Sequence, residues 1–74
     1  MTTGVVKTER MEFQVCRRGR EGKWAVTLDG AIYGAYLDKE QALLDAVDAA
    51  RDAVRSGRLA QVWVRDRSTA VRVF

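Results

Sequence analysis

Histidine and proline are absent from this 74-residue chain, and cysteine occurs once. Without histidine there is no Ser-His-Asp or Cys-His arrangement and no imidazole metal ligand. The single thiol, Cys16, permits no internal disulfide and cannot build a thiolate zinc site. No apolar run is long enough to cross a bilayer, and the first residues lack the apolar core of a signal peptide. No membrane association is therefore expected, and the expected location is cytoplasmic. No low-complexity stretch interrupts the chain. With 47% hydrophobic residues it has the composition of a folded domain, although 74 residues bury only a thin core.

What is present is organised around residues 38–56, DKEQALLDAVDAARDAVRS, which read as one amphipathic helix. Asp38 is suited to the N-cap, Gln41 stands where a capping box needs it, and Gly57 stands where a left-handed C′ residue would end the helix. At ~100° per residue, Ala42, Leu43, Ala46, Val47, Ala49, Ala50, Ala53 and Val54 share one arc. The opposite arc is charged except for Leu44, which reads either as an isolated surface leucine or as a contact in a dimer. The inward positions are mostly alanine, so the partner layer must supply the bulk.

That layer reads as strands. Residues 1–10 form an N-terminal arm without a clear period, and a single domain over 11–74 follows. Met11, Phe13 and Val15 alternate with polar residues. Trp24, Val26 and Leu28 do the same, and Asp29-Gly30 is a strong hairpin signal before a third strand over 31–37. A regular two-residue turn puts Tyr33 on the core side, whereas a one-residue bulge turns Ile32 and Tyr36 inward. After the helix, Ala60, Val62 and Val64 alternate with Gln61, Trp63 and Arg65. A turn over 66–69 then pairs Val64 with Val71, Val62 with Val73 and Trp63 with Arg72. The expected fold is α+β: an antiparallel sheet of four or five strands with one helix on one face, in the order β-β-β-α-β-β.

Charge is distributed unevenly over this plan. Residues 38–56 hold three Lys/Arg and five Asp/Glu, a net of −2, whereas residues 57–74 hold four and one, a net of +3. One helix covers one side of a sheet, so the other side is left open. By parity that open side carries Arg18, Lys23, Trp63, Arg65, Arg72 and Phe74, with Trp63 placed for a cation–π contact to Arg72. Aromatic side chains among arginines suit a homodimer or another protein partner, and they also suit base stacking with phosphate pairing on a nucleic acid. The first is the expected role: a non-enzymatic interaction module that self-associates through the open face or an edge strand. Salt-sensitive nucleic-acid binding is the alternative.

Weaker signals carry no chemistry. Asp45, Asp48 and Asp52 share a helix face, but Arg51 and Arg55 interleave with them, as on a solvated ion-pair face. The run RRGREGK over 17–23 ends like a P-loop, yet it has arginine at the first glycine position and Trp24 in place of the hydroxyl residue. Arg17, Arg18, Arg20 and the turn amides could touch phosphate; the alternative is a plain basic hairpin loop. No catalytic residue, metal site or cofactor is expected.

One resemblance rests on named residues: Trp24-Ala25-Val26, then Asp29-Gly30, then Tyr36-Leu37-Asp38-Lys39-Glu40-Gln41-Ala42, then alanines at 46, 49, 50 and 53, then Val62-Trp63-Val64. Over roughly residues 12–74 the chain resembles a family of small uncharacterised bacterial domains. These share a W-x-V strand, an aromatic residue before T-K-x-E-A, an Ala-rich helix and a closing hairpin. Asp38 stands where that pattern often has Thr, and the closing turn lacks its usual Asp-Gly. The resemblance implies a fold and no activity.

Overall fold

The computed structural model describes residues 10–19 and 22–74. The expected arm, apart from Arg10, and the loop residue Arg20 lie outside the described residues. The elements in chain order are β1 (Arg10–Arg18), β2 (Lys23–Leu28), β3 (Ala31–Tyr36), α1 (Lys39–Arg55), β4 (Leu59–Asp66) and β5 (Thr69–Arg72).

Local chemistry sets each turn. Asp29 and Gly30 both take positive φ, 51° and 91°, as a type I′ hairpin requires. The same turn is tied to β1: Asp29 N–H donates to the Glu12 carbonyl at 2.9 Å, and Asp29 Oδ1 accepts from Glu12 N–H at 3.0 Å. Asp38 caps α1, accepting from Gln41 N–H at 2.8 Å. The Gln41 side chain does not close the capping box; it donates to Asp45 Oδ1 at 3.2 Å instead. At the other end Arg58 N–H reaches the Ala53 carbonyl and Gly57 N–H the Val54 carbonyl, the Schellman pattern, with Gly57 at φ 86°.

The five strands form one sheet in the order β3-β2-β1-β4-β5. It is mixed. The β1–β2, β2–β3 and β4–β5 pairs are antiparallel, but β1 and β4 are parallel, from Arg10↔Leu59 to Cys16↔Arg65. This corrects the expected antiparallel sheet. Two hairpins make β3 run the same way as β1, and α1 then carries the chain back to the end where β3 began. β4 therefore starts in the same direction as β1 and docks on its free edge. The α+β class, the single helix and the element order stand as expected.

In the β2–β3 hairpin the register is regular at the turn, Leu28↔Ala31 and Thr27↔Ile32. It then slips by one residue, giving Val26↔Gly34 and Trp24↔Tyr36. The bulge thus turns Tyr36 toward the helix side. Ile32, opposite Thr27, stays exposed, contrary to the bulged alternative read from the sequence. The closing hairpin has the expected pairing, with a tighter turn than four residues: Asp66 pairs with Thr69 around Arg67-Ser68.

Phe13, Val15, Val26 and Val62 are the largest fully buried side chains, and Trp24 is buried with them beneath Ala42, Ala46, Ala50 and Ala53 of α1. Alanine on the helix and bulk on the strands therefore meet as the composition requires. Leu43, Val47 and Ala49 pack at the margin of this core. Val54, assigned to the inward arc by periodicity, is exposed. α1 lies over β4 and β1 and reaches β2 and β3, but its backbone does not approach β5.

Candidate interaction surfaces

The sheet face away from α1 carries most of the residues expected there. Pairing across the strands sets Thr27, Gln14, Trp63 and Arg72 in one row and Ala25, Cys16, Arg65 and Ala70 in the next. Arg18 pairs with Lys23 farther along β1 and β2. Trp63, Arg65 and Arg72 are thus true neighbours, whereas Arg18 and Lys23 sit toward one end of the face. Trp63 is half-buried, and its indole N–H donates to Gln61 Oε1 at 3.1 Å. Cys16 is a free, half-buried thiol on this face.

Two expectations about this face fail. Arg72 Nε donates to the Phe74 carbonyl at 2.8 Å. The cation–π contacts fall instead on Trp24, with Arg17 at 5.3 Å and Lys39 at 5.7 Å from its ring centroid. Phe74 also leaves the alternation. Val73 N–H and Phe74 N–H both donate to the Val62 carbonyl, so the strand loses its regular pitch, and the Phe74 ring packs against the buried core.

On the helix side the two edges of the sheet differ. Over β3, Tyr36 is partly buried and hydrogen-bonded to Asp45 of α1. Loss of hydration, first, and then the Asp45 bond and charge push its phenol up to about 12. Gly34 makes room for that ring: a methyl group there would stand 2.6 Å from the Tyr36 hydroxyl oxygen. Tyr33 meets Phe13 edge to face, with centroids 5.5 Å apart.

At the β5 edge the cover is thinner, with Phe74 packed against the core beyond the end of the strand. Val71 and Val73 remain 54% and 44% exposed. A groove of about 820 Å³ runs between α1 and the β4–β5 hairpin, with Leu43, Val64, Val71 and Val73 as its apolar lining and Arg17 and Lys39 at one end. Sequence reasoning put these valines in the core and missed the groove. A width argument finds it: a helix ~10 Å across spans about two strand spacings of ~4.8 Å, too few for five strands.

Among the described residues no cluster of three or more Cys, Asp or Glu is placed to hold a metal ion. Nor, among the described residues, is any helix long and apolar enough to cross a membrane. Comparison with protein-family models, with curated proteins and with solved structures finds no match.

Proposed function

We propose that this chain is a non-enzymatic interaction module that self-associates, with the edge strand β5 as the contact element. One observation carries the proposal: at the β5 edge Val71 and Val73 stay exposed on the helix side, and β5 is the strand that α1 does not approach. A chain this small gains proportionately from burying such side chains against a partner. The reading gives no residue a catalytic role and needs no cofactor. A lone cysteine suits a reducing compartment such as the cytoplasm. The resemblance to small bacterial domains adds a fold and no activity to this proposal.

Sedimentation of the wild type over a concentration series tests it. A mass twice 8.3 kDa is expected at the upper end, returning to 8.3 kDa on Val71→Asp. A constant monomer mass for both proteins ends the proposal.

A second reading, single-stranded nucleic acid on the open face, is favoured by the adjacency of Trp63, Arg65 and Arg72, with Arg18 and Lys23 extending the basic surface. It requires a mobility shift at low salt that weakens as salt rises and on Arg72→Ala. Absence of a shift at low salt removes it.

A further inference from the structure

We propose that the empty lane over β5 is filled by the α1 helix of a second copy of this chain. The inference rests on the self-association reading above and specifies its geometry.

The lane has the width of one helix. α1 lies over β4 and β1, so the outer strand β5 begins about one and a half strand spacings, ~7 Å, to one side of the helix axis. Helices pack side by side with axes 8–10 Å apart. A second helix laid against α1 at that separation comes to rest over β5, on top of Val71 and Val73.

The flank of α1 facing the lane suits such a neighbour. Asp45 reaches Tyr36 over β3, which fixes the β3 side of the helix. Leu43, Val47 and Val54 lie on the other side, and Leu43 lines the groove itself. Val54, exposed in the single chain, joins the helix–helix seam. Leu44, 58% exposed among charged residues, stands farther round α1. It becomes the side chain that drops onto the partner's β5. The leucine that periodicity leaves unexplained thus has a place.

Charge supports the same occupant. The groove itself is lined by Arg17, Lys39 and Arg67 against one acid, Asp66, whereas the helix stretch 38–56 has a net charge of −2. The arrangement also closes on itself. Each copy offers one helix and one lane, the self-complementary condition of a two-fold dimer, and no lane is left for a third copy.

The test uses two full-length single-thiol proteins, Cys16→Ser with Leu44→Cys and Cys16→Ser with Val71→Cys. They are mixed in equal amounts, treated with a short bismaleimide and analysed by mass spectrometry. The conjugate joining position 44 to position 71 is expected to exceed either self-conjugate severalfold. Leu44→Asp is expected to halve the sedimentation mass with an unchanged circular dichroism spectrum. A dimer mass with a dominant 71–71 conjugate means edge-to-edge strand pairing. Wild-type protein cross-linked chiefly through Cys16 means association by the open face. Either result overturns the helix-in-lane arrangement while leaving self-association standing. A dimer mass that persists in Leu44→Asp also overturns it. A monomer at every concentration overturns both.

Discussion

The two outer strands, β3 and β5, each end the sheet as the second arm of an antiparallel hairpin, yet α1 approaches only β3. β3 carries a bulge and two tyrosines. Tyr36 reaches Asp45 on α1, and Tyr33 leans on Phe13. β5 is regular over Thr69–Arg72 and presents valines to the same side, and those valines stay exposed. The difference lies in reach. A tyrosine extends far enough to touch a helix that does not cover its strand, and its hydroxyl ends on a carboxylate there. A β-branched valine stops short. An aromatic side chain with a polar tip can therefore tie a sheet edge to a helix that does not cover it.

The largest effect that sharpens this comparison is at Phe13, the ring that supports Tyr33. Phe13→Ala should cost about 3–5 kcal/mol in urea unfolding. Next is Gly34→Ala, where the added methyl group collides with the Tyr36 ring. A loss of about 1–3 kcal/mol is expected, and it should be largely relieved when Tyr36→Ala is added. Tyr36 also makes the β3 edge sensitive to alkali. Its phenol ionises near 10 when unfolded and at about 12 when folded. The stabilisation is complete below pH 10 and is lost as pH rises toward 12, because the unfolded chain then gives up the phenol proton while the native state still holds it. Thermal melts between pH 9 and 12 should fall more steeply for wild type than for Tyr36→Phe. The smallest effect belongs to β5: Val71→Ala, measured below the association range, should change stability by less than about 0.5 kcal/mol. A large loss there in a monomer would mean that β5 is sheltered after all.

Much of the fold was legible because its signals are local. Asp38, Gly57 and the alanine stripe define α1 within a residue at each end, and Asp29-Gly30 defines the first hairpin. Strand direction was not legible. Alternation fixes which face a side chain takes and says nothing of whether β4 runs with or against its neighbour, so the parallel β1–β4 pair went unforeseen. The bulge at Val26/Thr27 was one of two registers the sequence left open, and alternation alone could not choose between them because both keep an aromatic residue on the core side. The grouping of Trp63, Arg65 and Arg72 was readable from parity, since their register follows from one turn. Phe74 was not, because the shared Val62 acceptor breaks the parity on which its placement relied. The groove over β5 needed a measure of width, which sequence patterns lack.

The parallel ladder between the first and fourth strands has a consequence for how the chain is made. β1 is synthesised first and sits at the centre of the sheet, but one of its two flanks stays bare until Leu59–Asp66 has left the ribosome. A nascent chain that stops after the helix can form the first meander and no more. Such long-range closure is slow compared with helix or hairpin formation. Truncated products should therefore be the aggregation-prone species, with the bare flank of the central strand as their adhesive edge.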